Sequence, residues 1–348
     1  MKKLAVLGLG HIGSYVYSTL SNPRFYGRGR NSADFAEVNG FDITTGHDLS
    51  DRKTLIDIIA SHDGVLASTP YFLNKQIAEI CQQTGSDYFD LTESVEITDY
   101  IKSFKNTTSK FVTQCGLAPG MVSIIANHLA GQFDRVNNIE IKVGALPVDA
   151  NNHIGYYRTW STEGLINEYI YPCPALRDGK LTALEPLTLL STVTLQNHAL
   201  EAATTSGGLG SLAESYQGRA NNVTYKTLRF PGHWKIMSFL KDNLGLKNNF
   251  QTYVNLFNEN IPQTVNDQVV ILIDVDGHIG KNFATRQYSK IVKCTPGMTA
   301  IQQTTGSGVM CVIDSWAQGH LDHLSGWIAQ EQLDYDSVWN SKYNDCYK

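Results

Sequence analysis

The stretch Leu4-Ala5-Val6-Leu7-Gly8-Leu9-Gly10-His11-Ile12-Gly13 decides the fold. Its four apolar residues read as a buried strand, and the apolar spacing from Ile12 to Leu20 reads as a helix. Between them stands Gly-x-Gly-x-x-Gly, in which each glycine has a task. Gly8 permits a tight turn, Gly10 leaves room for a pyrophosphate, and Gly13 lets the helix pack on the strand. Phosphates then rest on N–H groups at the helix start. The motif predicts a dinucleotide site built from Gly8, Leu9, Gly10, His11, Ile12 and Gly13.

Outward from the motif, strands and helices alternate. Arg24 to Arg30 reads as a second strand, Ser32 as the cap of a short helix running through Val38, and Phe41-Asp42-Ile43 as a further strand. Leu55-Ile56 and Ile58-Ile59 mark a helix face. Gly64 to Ser68 is a strand, Asn74 to Gln83 a helix, and Tyr88 to Leu91 and Phe111 to Thr113 complete the series. Such alternation predicts a parallel sheet covered on both faces.

After Pro119 the texture changes. Ile139 to Val143 alternates, as do parts of Leu187 to Leu195. Gln268 to Asp276 is an apolar strand, Gly277 begins a turn, and Arg286 to Lys293 returns as a hairpin partner. Ile301 to Trp316 reads as a helix. The expected fold class is α/β: a Rossmann-type doubly wound parallel sheet with a second, α+β substrate domain. Residues 1–120 are expected to form the dinucleotide-binding domain and 121–300 the substrate domain, with a mixed or antiparallel sheet. Residues 301–348 are expected to return to the first domain.

Composition bounds the function. A chain of 348 residues suits two domains, and 42% hydrophobic residues exclude a largely disordered one. A net charge of -5 without a Lys/Arg run gives no electrostatic reason for a nucleic-acid partner. The six cysteines lie far apart, with no metal-ligand spacing, and read as reduced thiols. His320-Leu321-Asp322-His323 reads as a solvated helix face, so no metal is expected. The apolar run 4–7 is too short for a signal segment, and no stretch approaches the ~20 apolar residues of a membrane span. The expectation is a cytoplasmic homodimer acting on a small molecule, without nucleic-acid or membrane partners.

A dinucleotide enzyme that uses NAD usually carries an acidic residue at the end of the second strand, for the ribose 2′-OH. In the reading above that place holds Gly27-Arg28-Gly29-Arg30-Asn31-Ser32. Arg28 and Arg30 suit a 2′-phosphate, and Ser32 can add a hydroxyl. NADP is therefore expected, with NAD the alternative if the strand boundary lies elsewhere and Asp34 serves as the acidic residue.

Several segments, in order, resemble the saccharopine dehydrogenase family. They are Ser68-Thr69-Pro70-Tyr71, Tyr88-Phe89-Asp90-Leu91, Gly116-Leu117-Ala118-Pro119-Gly120-Met121, Trp160-Ser161-Thr162-Glu163-Gly164-Leu165-Ile166, Thr205-Ser206-Gly207-Gly208, and Tyr225-Lys226-Thr227-Leu228-Arg229-Phe230-Pro231-Gly232-His233. The resemblance covers roughly residues 1 to 245. Ala118, Gly120-Met121-Val122-Ser123 and Val143 depart from the saccharopine reductase pattern and pull toward the lysine 6-dehydrogenase branch. The resemblance implies hydride transfer between a nicotinamide and a carbon bearing nitrogen.

Candidate site residues follow from that chemistry. Ser68, Thr69 and Pro70 form a turn beside the dinucleotide, and Tyr71 could carry the proton or pack on the nicotinamide. Asp90 ends a strand where a carboxylate could meet a substrate ammonium. Arg229 is the preferred carboxylate anchor, because its planar fork matches a carboxylate. Lys226 is a second carboxylate candidate, on the opposite strand face from Arg229, so the two are not expected to reach one carboxylate. His233 could act as a base near neutral pH. Thr205, Ser206 and Gly207 could form an anion nest, and Trp160 a pocket wall. The expected function is an NAD(P)-dependent dehydrogenase acting at a CH–NH or CH–NH2 group of an amino acid, such as lysine or a lysine-derived adduct. Saccharopine or carboxynorspermidine reduction with NADPH is the second reading, and a non-catalytic dinucleotide sensor the third.

Overall fold

The computed structural model describes residues 1–22, 35–196 and 198–348. They divide into two compact units, Met1–Ile124 with Thr304–Lys348, and Ile125–Gln303.

In the first unit, β1 (Lys2–Leu7) leads through the glycine turn into α1 (His11–Ser21), and β2 (Phe35–Phe41) follows. Next come α2 (Arg52–Ala60), β3 (Gly64–Ala67), α3 (Asn74–Thr84), β4 (Asp87–Asp90), α4 (Val95–Lys102) and β5 (Lys110–Val112). Side chains set the helix starts: the Asp51 carboxylate accepts from Thr54 N and the Ser94 hydroxyl from Ile97 N. α3 stops at Gly85, which takes the left-handed conformation at φ 82°.

In the second unit lie α5 (Met121–Ala130, which begins in the first), β6 (Arg135–Pro147), α6 (Thr162–Ile170), β7 (Cys173–Arg177), β8 (Lys180–Leu184), β9 (Ser191–Leu195) and β10 (His198–Thr204). They are followed by α7 (Leu212–Ser215), β11 (Asn222–Arg229), α8 (His233–Asp242), α9 (Phe250–Asn260), β12 (Asp267–Ile279) and β13 (Asn282–Lys293). The chain goes back through α10 (Ala300–Ala317) and ends with β14 (Gly326–Ile328) and α11 (Tyr335–Trp339).

The first sheet has the order β14-β5-β4-β3-β1-β2, and every pairing in it is parallel. Leu7 pairs with Phe41 on one side and Ala67 on the other, and Ala67 pairs with Asp90. The carboxyl ends of β2, β1, β3 and β4 therefore line one rim, with Gly8, Ser68 and Leu91 just beyond their strands. β3, β4 and Leu4 to Leu7 of β1 are buried, and Leu7, Val65, Ile77, Ile80, Tyr88 and Phe111 belong to one core. From α10, Trp316 lies under Gly64, where a Cβ would stand 2.5 Å from the indole. Its Nε1 donates to Asp87 at 2.7 Å.

The second sheet runs β13-β12-β6-β11-β10-β9, with β7 and β8 attached at β11. β6 pairs parallel with β11 and antiparallel with β12, so the sheet is mixed. Helices α6, α8 and α9 share one core around Ile166, Tyr169, Trp234, Val254 and Phe257.

Three local expectations are corrected. Phe35 to Val38 belong to a strand, not to a helix capped by Ser32, because Lys2 to Leu7 take them as ladder partners. The strand read at Phe41-Asp42-Ile43 ends at Phe41, and Asp42 instead caps a 3-10 turn over Ile43–Thr45. Gly277 does not start a turn: β12 continues to Ile279, with an irregularity between Asp276 and Gly277 where it pairs with β6. The strand reading of Arg24 to Arg30, with Arg28, Arg30, Ser32 and Asp34, lies outside the described residues.

Among the described residues no helix is long and apolar enough to cross a membrane, and no cluster of His, Cys, Asp and Glu is placed to hold a metal ion.

Candidate functional site

Two groups of residues bear on function, one in each unit. In the first unit they lie along the rim of the parallel sheet. Gly8 sits at φ 88°, where a side chain would be strained, and a Cβ there would stand 2.6 Å from Ser68 O. A Cβ on Gly13 would stand 1.9 Å from Gly8 O. Gly10 differs: a Cβ there would meet nothing within 4 Å. Two glycines thus serve close packing, and the middle one borders open space at the head of α1. The first N–H groups of a helix have no acceptor within it, and α1 carries no acidic residue in its first turn. That is a fitting cradle for a pyrophosphate. Leu9 packs against Gly40 of β2, while His11 is exposed and Ile12 half-buried.

Asp42 stands one residue past β2, a position unrecognised in the sequence. Its Oδ1 accepts from Thr44 Oγ1 at 2.6 Å, Thr44 N at 2.8 Å and Thr45 N at 3.1 Å. The Thr44 hydroxyl first, and then the N–H groups of Thr45, Thr44 and Leu9, hold its carboxyl below the usual range against the effect of burial. The Leu9 bond ties Asp42 to the glycine turn.

Further along the rim, Ser68 N donates to Leu7 O at 2.8 Å. Thr69 Oγ1 donates to Asn74 Oδ1 at 3.3 Å, and Pro70 precedes the 3-10 turn Tyr71–Leu73. Tyr71 is 63% exposed, edge-on to an equally exposed Phe72. Asp90 is buried and saturated. It accepts from Tyr88 Oη at 2.8 Å, Gln114 N at 2.8 Å and Thr92 N at 3.2 Å. Burial lifts its carboxyl to about 6 in spite of these bonds. Glu93, also unrecognised in the sequence, lies in the turn beyond β4. Thr92 Oγ1 accepts from Ser94 N, and Ser94 Oγ from Ile97 N, so the turn that carries Glu93 is fixed on both sides. Burial raises the Glu93 carboxyl to about 7.

In the second unit the centre is Arg229, the last residue of β11 and 1% exposed. Its Nε donates to Tyr169 Oη at 3.1 Å and its Nη1 to Leu228 O at 3.0 Å. Its Nη2 lies 3.8 Å from Glu168 Oε2, an ion pair longer than a hydrogen bond. The guanidinium faces the rings of Tyr156 at 5.1 Å and Trp234 at 5.9 Å. His233 opens α8. Its Nδ1 lies 2.8 Å from Ile154 O and its Nε2 3.0 Å from Tyr169 Oη. A carbonyl only accepts, so Nδ1 carries the proton and Nε2 accepts from the tyrosine. Burial first, then Arg229, lowers His233 to about 3. His233 is therefore a neutral hydrogen-bonding residue, and the expectation of a base near pH 7 is corrected by its burial beside a cation.

The other candidates are spread around this centre. Thr205 Oγ1 pairs with Thr227 Oγ1 at 2.6 Å. Ser206 donates its N–H to Glu168 O at 3.0 Å and its hydroxyl to Asn167 O at 3.1 Å. Gly207 turns at φ 92°. The segment thus braces α6, with the Ser206 donors engaged by protein carbonyls. Trp160 packs on Gly164 and against the helical core. Lys226 bonds Glu140 at 2.8 Å and Ser191 at 3.2 Å. Glu140 also pairs Lys142, which meets Asp274 at 2.9 Å, so Lys226 belongs to a separate ion network.

A parallel α/β sheet with a glycine turn and an acid at the end of its second strand defines a chain of the dinucleotide-binding type. Residues 116–344 match the family model described as the saccharopine dehydrogenase C-terminal domain, and the chain belongs to the saccharopine dehydrogenase family of oxidoreductases. It is 24% identical over 299 residues, 76% of its length, to alpha-aminoadipic semialdehyde synthase, mitochondrial, of Rattus norvegicus, and spans 30% of that relative. Apo saccharopine dehydrogenase (L-Glu forming) of Saccharomyces cerevisiae shares the fold with a TM-score of 0.70 at 14% identity, over 97% of this chain and 96% of that one. The DAP dehydrogenase of C. glutamicum, in complex with DAP, matches with a TM-score of 0.50 at 10% identity, over 99% and 97% of the two chains.

Proposed function

We propose that the chain is a nicotinamide-dependent amino-acid dehydrogenase, acting at a CH–NH or CH–NH2 group of lysine or a lysine-derived adduct. The observation that carries this is the glycine turn: tight at Gly8 and Gly13, open at Gly10, and set on a parallel rim. The rim gives the dinucleotide a direction. Asp42 would accept from the adenosine ribose, the head of α1 would hold the pyrophosphate, and the ends of β3 and β4 would border the nicotinamide. When bound, the nicotinamide supplies the hydride acceptor.

The NADP expectation rested on Arg28 and Arg30 ending the second strand. Those two arginines lie outside the described residues; among the described ones Asp42 follows β2, and a carboxylate favours a ribose diol over a 2′-phosphate. NADH is therefore the preferred partner in this proposal, with NADPH the alternative.

Oxidation requires a substrate amine without its extra proton, and thus a base poised near working pH. Glu93 suits that role on the rim, and Tyr71 is the alternative. Arg229 would anchor the substrate carboxylate through Nη2 while Tyr169 Oη and Leu228 O hold its Nε and Nη1. Following reduced-nicotinamide absorbance against a panel of amino acids and oxo-acid/amine pairs tests the reading. Absence of turnover with every pair, together with no binding of either dinucleotide, would sink it.

A further inference from the structure

The turn beyond β3 is held from two sides. On one side it packs on the glycine turn. A Cβ on Gly8 would stand 2.6 Å from Ser68 O and 3.1 Å from Thr69 N, and one on Gly13 3.1 Å from Ser68 Oγ. On the other side stands Asn74, the first residue of α3 and 2% exposed. Its Oδ1 accepts from Thr69 Oγ1 at 3.3 Å, and its side chain also hydrogen-bonds the Asp90 carboxylate. Asp90 is fully buried and takes Tyr88 Oη and the N–H groups of Thr92 and Gln114 as its other donors. Thr69, Asn74 and Asp90 thus form a chain from the half-buried rim to a buried carboxylate at the end of β4.

The inner end of the chain sets the direction of every bond in it. A carboxylate only accepts. Asn74 therefore turns Nδ2 to Asp90 and Oδ1 to Thr69, and the Thr69 hydroxyl gives its one proton to Asn74. What the hydroxyl has left is lone pairs, so toward the rim it is an acceptor.

We infer that Asn74 and Asp90 are positioning residues that hold the Thr69 hydroxyl as an acceptor for a donor on the nicotinamide half of the dinucleotide. The inference rests on the proposed dinucleotide site and names how its far end is read. The donor is the carboxamide NH2 or a hydroxyl of the adjoining ribose. Asp90 then has a task other than meeting a substrate ammonium: it polarises a hydrogen-bond chain from within the protein.

The test is calorimetric binding of NADH and of ADP-ribose, which lacks the nicotinamide, to the full chain. It is run at about pH 8, where the Asp90 carboxyl is ionised. Thr69→Val removes the hydroxyl with little change of shape. It should weaken NADH about tenfold and move ADP-ribose by less than about twofold. Asp90→Asn is similar in shape but offers Asn74 a donor where it had an acceptor. The Asn74 amide then turns over, the Thr69 hydroxyl donates outward, and the same selective loss of NADH should follow. Asn74→Ala should show it too, and added to Thr69→Val it should lower NADH affinity no further, because the three residues act as one unit. A residue that only supports the fold would weaken both ligands together and add to Thr69→Val. The NADH analogue with methyl in place of the carboxamide NH2 separates the two donors. Thr69→Val should leave its affinity unchanged if the carboxamide is read, and lower it if the ribose hydroxyl is. Unchanged NADH affinity in Thr69→Val, parallel losses of both ligands in Asp90→Asn, or additive losses in the double variant overturn the inference. Should Asn74→Ala not fold, the Thr69 and Asp90 variants still decide. Wild-type protein that binds neither ligand would remove the dinucleotide site and this inference with it. Wild-type binding of both, with no selective loss in any variant, would remove this inference alone.

Discussion

Tyr169 Oη donates to His233 Nε2 across 3.0 Å, because the other ring nitrogen is committed to Ile154 O. The bond requires a neutral imidazole, and burial beside Arg229 keeps it neutral.

The consequence for stability has a definite sign. The folded-state value of His233 lies near 3, below the ordinary 6.5. Its contribution is therefore complete above about pH 6.5 and is lost as pH falls toward 3, by roughly 5 kcal/mol in all. Urea midpoints across that window should fall more steeply for the wild type than for His233→Gln. Parallel slopes for the two proteins would contradict the assignment.

The three glycines of the turn should separate folding from binding. Gly13→Ala puts a Cβ 1.9 Å from Gly8 O and should cost about 2 kcal/mol or more of stability. Gly10→Val points into open space, so it should fold with nearly unchanged Tm and lose NADH binding. A folded Gly10→Val protein with wild-type NADH affinity would place the cofactor elsewhere.

Cofactor choice should follow Asp42. Asp42→Asn keeps an acceptor for Thr44 N and Thr45 N but removes the negative charge. The ratio of NADH to NADPH affinity should shift toward NADPH by about tenfold. Replacing Arg28 and Arg30 by Ala should leave NADH affinity unchanged. Fluorescence titration with both nucleotides measures each effect, and a selective loss of NADPH in the double Ala variant would restore the arginines as the determinant.

Glu93 should appear in the pH dependence of the reaction. A base must be deprotonated, so kcat/KM for amine oxidation should rise as pH increases through about 7, the value to which burial lifts Glu93. Glu93→Gln should remove that limb and lower kcat while preserving NADH affinity. A limb that survives in Glu93→Gln but vanishes in Tyr71→Phe would give the role to Tyr71.

Much of the fold is legible because the inner strands are apolar runs. Leu4 to Leu7 and Val65 to Ala67 are buried on both faces, as strands inside a covered parallel sheet must be. β2 escapes because, among the described residues, it ends the sheet, and after Phe35 it is only exposed or half-buried, so Ala36-Glu37-Val38-Asn39-Gly40 carries no burial pattern. Missing β2 also hid Asp42, whose meaning depends entirely on where that strand ends. In the second unit, Arg229 and His233 stand out by residue type. Their engagement does not, since Glu168 and Tyr169 reach them through the packing of α6. One local sign was present: Glu168 lies three residues after Leu165 on the buried side of α6, where an acid needs a partner.

The first unit is assembled from two stretches with the whole second unit between them. Its edge strand β14 pairs with β5, and Trp316 fills the space beneath Gly64. On a ribosome, Ile125–Gln303 can emerge and close while the unit begun before it still lacks an indole and a strand. Translation at about 5–20 residues per second makes that wait many seconds long. During it, the β5 edge is an open invitation to neighbouring chains. Holding chaperones should therefore matter more to the yield of this protein than to that of a chain whose sheet is finished in one pass.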